Sequence, residues 1–216
     1  MTQLTDNLVW SSCLKGDRMA FAELYRRYYP LLYNYGCKFC QDRELVKDCI
    51  QNFFAKLILN YKTLSDTKSV KGYLLLAFRN KLFDALKLEN AQKNMFLPCI
   101  DDLLTFTQEL ATDTGDEDPA DEFVVMQLAF RELSLRQQEI LYLFYIQGIN
   151  HADIAEILNI NYQSSRNLLF RSLLKLKELF FARLKEESCP ADSEEKSDTF
   201  SHLTEKFRTL HVRIEE

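Results

Sequence analysis

The side chains best suited to chemistry in this sequence are hydrogen-bonding and cationic rather than nucleophilic. Gln163, Ser164, Arg166, Asn167 and Arg171 follow a short break, Asn159-Ile160-Asn161. Arg, Asn and Gln are the residues that pair bidentately with base edges in a DNA major groove. A second group, Lys71, Tyr73, Phe78, Arg79, Lys81, Phe83 and Lys87, mixes cations with rings. Such a mixture can hold a phosphate backbone while a base stacks on an exposed ring. The same rings also fit an ordinary helical core, and the pattern leaves both readings open. Catalytic chemistry finds little footing. His151, His202 and His211 have neither metal-ligand spacing nor a nucleophile beside them, and His151 is expected to be a surface residue opening a helix. There is no Gly-rich phosphate loop. The six cysteines stand at 13, 37, 40, 49, 99 and 189, and Cys37 and Cys40 are their only close pair. A structural zinc takes four ligands. The thiols therefore read as buried helical residues in a reducing compartment. No enzyme activity, metal or cofactor is expected.

The elements that must position the first group lie in LRQQEILYLFYIQGINHADIAEILNINYQSSRNLLFRSLLKLKELFFARL, residues 135–184. Gly148 is the expected stop of a first helix, because glycine takes a left-handed backbone without strain. Asn150 suits the N-cap of a second helix. The third starts near Tyr162. A short helix, a tight turn and a longer basic helix make a helix-turn-helix. Ala152, Ile154, Ala155, Leu158 and Ile160 are expected to face inward, with the small Ala155 where the helices cross. Three amphipathic helices with solvated charges would show the same periodicity, so a helical interaction module stays open on this ground alone.

Composition narrows the class. Of 216 residues, 47% are hydrophobic and 27% charged, as in ordinary soluble globular chains. Only 5 Gly and 4 Pro are present, strand-like alternation is hard to find, and the chain is expected to be all-α. A formal net charge of -5 counts against a broadly basic nucleic-acid binder. Much of the acid is segregated, however, in residues 101–122 and 186–195. No apolar run reaches a bilayer span, and MTQLTDNLVW lacks a basic-then-apolar signal pattern, so no membrane insertion and a cytoplasmic location are expected.

In the first half, Gly16 and Asp17 punctuate between a short helix at 7–15 and the next, RMAFAELYRRYYPLLYNYGCKF. Phe21, Leu24, Tyr25, Tyr28, Leu32 and Tyr35 lie on one face of that helix, and Pro30 should bend it. Asp42 suits the cap of a third helix with Leu45, Cys49, Ile50, Phe53 and Leu57 as its buried stripe. Its other face carries Glu44, Lys47, Asp48, Gln51 and Lys56. The fourth is the cation-and-ring segment, SVKGYLLLAFRNKLFDALK.

Residues 94–121 show no sustained period, and 112–118 are acidic and breaker-rich, as in a flexible connector. Asp118-Pro119 looks like an N-cap and first helical residue, and Ser134 to Gln137 like a capping box. Beyond Lys185 comes a second acidic stretch. Residues 199–214 suit a marginal amphipathic helix through Phe200, Leu203, Phe207, Leu210 and Ile214. The expected architecture is two small helical domains, an N-terminal bundle at 1–93 and a helix-turn-helix domain at 118–187. A flexible acidic linker at 94–117 joins them, and an acidic stretch with a short tail helix occupies 188–216.

Two sets of motifs then resemble one family. GDRMAFAELYRRYYP, DRELVKDCIQNFFAKL and GYLLLAFRNKLFDALK in the first half, with LSLRQQEILYLFYIQGINHADIAEILNINYQSSRNLLFRSLLKLKEL in the second, are similar to the extracytoplasmic-function (ECF) sigma factors of bacterial RNA polymerase. The resemblance covers most of residues 8–184, in order and with the family's spacing. It implies a protein that directs core polymerase to specific promoters and aids their melting. It assigns Asp42, Glu44, Val46, Asp48, Gln51, Phe54 and Leu57 to the face that docks on the clamp helices of the polymerase β′ subunit, with β as a further partner. It assigns Tyr73, Phe78, Arg79, Asn80, Lys81, Asp84 and Lys87 to binding and melting of the −10 element, with Asn80 touching a flipped-out non-template base. It assigns Gln163, Ser164, Arg166, Asn167, Phe170 and Arg171 to the −35 element. An anti-sigma factor is a further implied partner, and the linker resembles the segment that runs toward the RNA exit channel.

The sequence departs from that family's pattern in places. Tyr73 stands where a tryptophan is usual, and the basic run after Lys87 is thin. Ser165 replaces a usual buried valine, which would cost around 1 kcal/mol if its hydroxyl lacked a partner. The alternative to a sigma factor is a stand-alone helix-turn-helix regulator whose first domain dimerises or senses a ligand. It predicts a homodimer on palindromic sites, binding without polymerase.

Overall fold

The computed structural model describes residues 5–88 and 119–187, with side chains described for 5–87 and 124–183. The linker at 94–117, the Asp118 cap, the tail from 188 with its helix at 199–214, and Cys99 and Cys189 lie outside the described residues. Every regular element among the described residues is helical. The chain separates into two compact units, Met1–Leu97 and Pro98–Glu216.

The first unit contains α1 (Asp6–Leu14), α2 (Arg18–Phe39), α3 (Arg43–Leu59), a single 3-10 turn (Tyr61–Thr63) and α4 (Val70–Leu88). Gly16 turns the chain between α1 and α2 with φ +83°, and Asp17 accepts a hydrogen bond from the Met19 amide. Asp42 caps α3 through the amides of Glu44 and Leu45. Such caps satisfy amides that have no partner inside the helix. The helix α2 runs continuously through Pro30. It buries Phe21, Leu24, Tyr28, Leu32 and Tyr35. Its Tyr25, Tyr29 and Tyr33 form a ladder along a half-buried face, with ring centroids 5.4 and 5.8 Å apart.

Two contacts set the helix spacing in this unit. Gly36 of α2 lies where α3 crosses: a Cβ there would stand 2.6 Å from Val46 Cγ1 and 3.3 Å from the Phe78 ring of α4. The three helices meet closely because this position has no side chain. Near the middle of α2, Tyr28 donates its hydroxyl to Asp6 Oδ2 at 2.6 Å, and Arg27 Nη1 donates to Asp6 Oδ1 at 2.9 Å. This pair pins α1 to α2. Burial, reinforced by the Asp6 carboxylate, pushes the Tyr28 phenol above its ordinary range.

The second unit contains α5 (Pro119–Arg131), α6 (Leu135–Leu141) running into a π-helical turn (Tyr142–Ile146), α7 (His151–Ile157) and α8 (Tyr162–Glu187). Pro119 opens α5 as the first helical residue, and Ser134 and Gln137 form the expected capping box. Buried Gln138 donates its amide to the carbonyls of Phe130 and Leu133, at 2.8 and 2.9 Å, and closes the corner between α5 and α6. The long α8 is the spine against which α5, α6 and α7 pack, burying Leu169, Leu173, Leu176, Phe180 and Phe181.

Replacing Gly36 with Ala is expected to destabilise the first unit by about 1–3 kcal/mol, the usual penalty for overfilling a packed crossing. Urea unfolding of the variant checks this, and a change within experimental error would mean that the crossing relaxes freely.

Candidate nucleic-acid interface

The helix-turn-helix forms as the local signals require. Gly148 adopts φ +60°, and no atom beyond its own chain neighbours lies within 4 Å of where its Cβ would be. Asn150 accepts a hydrogen bond from the Asp153 amide at 2.9 Å and caps α7. Asn159 takes a left-handed backbone, φ 51°, while the Ile160 amide returns to the Ala155 carbonyl at 2.9 Å. Asn is one of the few residues other than Gly that tolerate this conformation. Asn161 then caps α8 through the Ser164 amide at 2.6 Å. Arg136 donates to the Leu158 carbonyl at 3.2 Å, so the start of α6 holds the end of α7.

This geometry places Gln163, Asn167 and Arg171 along one exposed stripe of α8, with Ser164, Arg166 and Phe170 half-buried beside it. Gln163 donates to Asn167 Oδ1 at 3.2 Å. The stripe offers amide and guanidinium donors on a helix long enough to enter a groove. Ile154, Ala155 and Leu158 face inward as expected, and Ile160 is half-buried. Ala152 is exposed, contrary to expectation, and Ile157 is buried. Inward positions on α7 follow a spacing of three and four from His151, and 152 falls between them.

Two expectations for this unit are overturned together. His151 is not a surface residue but only 8% exposed. Ser165 is fully buried, yet its hydroxyl does have a partner: its Oγ lies 3.1 Å from His151 Nδ1. The cost of an orphan hydroxyl therefore does not arise. The two residues lie 14 positions apart on different helices, so nothing in the sequence pattern links them.

In the first unit, α4 divides its residues between core and surface. Phe78 is 0% exposed, its ring 6.4 Å from that of Tyr35 and 6.3 Å from that of Phe53. It is a core residue, and a base cannot stack on it in this structure. Tyr73 is half-buried against Trp10, with ring centroids 5.2 Å apart. Trp10, which the sequence did not single out, is fully buried and donates its indole N–H to the Ser65 carbonyl at 3.2 Å. Where the resembled family has a tryptophan, this chain has a tyrosine with a tryptophan packed on it. Arg79 lies 4.6 Å from the centroid of Phe83, whose ring also meets Phe39. Asn80, Asp84 and Lys87 are exposed, and Lys81 is half-exposed. Lys87 Nζ and Asp84 Oδ1 are 3.6 Å apart. Burial lowers the proton affinity of the Lys71 ammonium below its ordinary range.

The expected docking face of α3 also splits. Asp42, Glu44, Asp48 and Gln51 are exposed, whereas Val46, Phe54 and Leu57 are 0%, 3% and 5% exposed. Val46 fills the space above Gly36, and Phe54 packs edge-on against Tyr25 at 4.9 Å. These three residues are helical core, because their positions carry the apolar stripe toward α2. Exposed Ile58 and Leu59 stand at the end of the helix instead.

One unit thus presents a helix-turn-helix, and the other, among its described residues, four α-helices with an exposed asparagine among cations. Comparison with known proteins accounts for both. Sigma-70 region 2 matches residues 24–91, and sigma-70 region 4 matches residues 124–176. The ECF RNA polymerase sigma factor SigM of Bacillus subtilis (strain 168) is 24% identical over 165 residues, covering 75% of this chain and 96% of that protein. The fold resembles that of CnrH, solved in complex with the cytosolic domain of CnrY, with a TM-score of 0.55 and 16% identity over 85% of this chain and 99% of that one. The chain belongs to the sigma-70 family, in its extracytoplasmic-function class. Its activity is therefore non-enzymatic, directing RNA polymerase to promoter DNA. The region 2 match accounts for the half that the stand-alone regulator reading left to sensing or dimerisation. Among the described residues, no helix is long and apolar enough to cross a membrane.

The division within α4 has a measurable consequence. Phe78→Ala should cost about 3–5 kcal/mol of stability, as truncation of a buried aromatic does. Asn80→Ala should stay within about 0.5 kcal/mol of the parent, as exposed substitutions do. Thermal and urea unfolding of the two variants would separate a core role from a surface one.

Proposed function

We propose that the two units act on separate promoter elements while the core polymerase holds them. In this reading α8 enters the major groove at the −35 element, with Gln163, Asn167 and Arg171 on base edges and Ser164, Arg166 and Phe170 at the flanks. On α4, Asn80 hydrogen-bonds a base extruded from the −10 element. Arg79, Lys81 and Lys87 steady the neighbouring phosphates, Asp84 orients Lys87, and Tyr73 supports the surface from behind. Extruding a base costs a few kcal/mol, which a hydrogen-bonded pocket must offset. Phosphate contacts set the register and base contacts carry the sequence preference.

The polar face of α3, with Asp42, Glu44, Asp48 and Gln51, is the proposed contact for the β′ clamp helices, and β is a second contact. Val46, Phe54 and Leu57 support that face from below. The observation that carries this reading is the exposure of Asn80 and of the stripe from Gln163 to Arg171 on two different compact units. With a net charge of -5, the free chain is a weak DNA binder, and a third body must supply the remaining contacts. We also place the protein in the cytoplasm, under the control of an anti-sigma protein. CnrH was solved with a partner of its own, the cytosolic domain of CnrY, which supports such control here.

Co-purification with core polymerase and promoter-specific initiation in vitro are the expected results, and failure to bind core would overturn the reading. Arg171→Ala should lose about 1–3 kcal/mol of binding at one −35 position. An equal loss on every sequence would assign Arg171 to phosphate alone. Asn80→Ala should leave −35 binding intact and slow opening, seen as weaker permanganate reactivity of −10 thymines.

A further inference from the structure

His151 is the first residue of α7, a place where a polar side chain normally reaches solvent, yet the ring is enclosed. It lies tilted against Phe144 of the π-helical turn, with centroids 5.0 Å apart, and meets the edge of Tyr162 of α8 at 5.9 Å. Its Nδ1 is 3.1 Å from Ser165 Oγ. One ring thus touches all three segments of the helix-turn-helix. Ser165 sits between Ser164 and Arg166, two of the residues assigned above to the −35 element, but on the opposite, buried side of α8. A hydrogen bond is directional in a way that a valine–leucine contact is not. It therefore constrains the rotation of α8 about its own axis, which decides where the neighbouring side chains point.

We propose that His151 is a positioning residue: by bonding Ser165 it sets the rotation of α8 and hence the aim of the −35-reading side chains, and it does so only as a neutral imidazole. The inference rests on the reading of α8 given above. The neutral ring carries one N–H: at Nδ1 it donates to Ser165 Oγ, whereas at Nε2 it would have no acceptor. The other nitrogen, Nε2, is buried without a hydrogen-bond partner. A second proton would place a charge in this enclosure and an N–H at Nε2 with no acceptor.

The surrounding groups agree. Phe144 is apolar, Tyr162 contributes an aromatic edge, and Arg166 of α8 is the charged group that bears on the ring. Burial first, and then Arg166, hold the imidazole below its ordinary value of 6.5. The unfolded chain therefore takes up the proton first as pH falls. The contribution of the neutral ring is fully present above about 6.5 and is lost as pH drops from there toward the lower folded value. Recognition that depends on the −35 element should weaken only at still lower pH, where the folded ring itself takes up the proton.

The test uses the full chain assembled with core polymerase, on a promoter and on a copy with its −35 element scrambled. As the pH is lowered from about 7.5 until the buried ring takes up its proton, below its ordinary value of 6.5, the parent should lose several-fold of its preference for the intact element. His151→Ala and Ser165→Ala should each lose several-fold already at neutral pH. The paired change His151→Leu with Ser165→Val restores an apolar contact. It should recover preference at neutral pH and respond less to acid. Equal preference in all four proteins, or an undiminished acid response in the paired variant, would overturn the proposal. NMR of the imidazole in the free chain is the second readout and is independent of DNA: titration at the ordinary histidine value would also overturn it. If scrambling the −35 element changes nothing in the parent, the −35 reading fails instead. The positioning claim is then judged by whether His151→Ala shifts the amide signals of Ser164 and Arg166.

Discussion

A helix has only one circumference, and in this protein the division of that circumference governs everything else. Along α8, Ser165, Leu169, Ser172, Leu173, Leu176 and Phe180 are buried while Gln163, Asn167, Arg171 and Lys175 are exposed. The same 3.6-residue period generates both stripes. Burial of the first against α5, α6 and α7 holds the second in a fixed direction. A recognition surface on an isolated helix would be neither ordered nor aimed.

The first unit applies the same rule with rings in place of aliphatic residues. Phe53 and Phe78 lie edge to face at the centre, with Tyr35 against Phe78, and Gly36 lets α2 and α3 approach. Aromatic rings stabilise such a core both by area and by their tilted geometry. Apart from Ile58 and Leu59 at the end of α3, what remains on the outside of α3 and α4 is mostly polar: carboxylates and amides on α3, asparagine and cations on α4. That separation assigns Phe78, Val46, Phe54 and Leu57 to support, although their residue types alone would suit contact.

Two departures from the family pattern turn out to be paired. Tyr73 lies against Trp10, and Ser165 bonds His151. In each case a residue that looks like a weak substitution has a partner far away in sequence that completes its packing or its hydrogen bonding. Buried polar groups are tolerated when they are satisfied, and a satisfied pair specifies orientation more sharply than an apolar contact does.

The sequence by itself determined the helical class, most helix limits and the turn chemistry. Gly16, Asp17, Asp42, Ser134, Gly148, Asn150 and Asn159 act through neighbouring backbone groups, so their consequences are local. It also turned Gln163, Ser164, Arg166, Asn167 and Arg171 to the solvent side; Gln163, Asn167 and Arg171 are exposed, and Ser164 and Arg166 are half-buried. Only the tertiary structure decided which rings of α4 are core, that three of the seven α3 docking residues are buried, and that His151 and Ser165 meet. Those outcomes depend on which helix lies against which, and contacts between residues 14 or more positions apart leave no periodic trace in a single sequence.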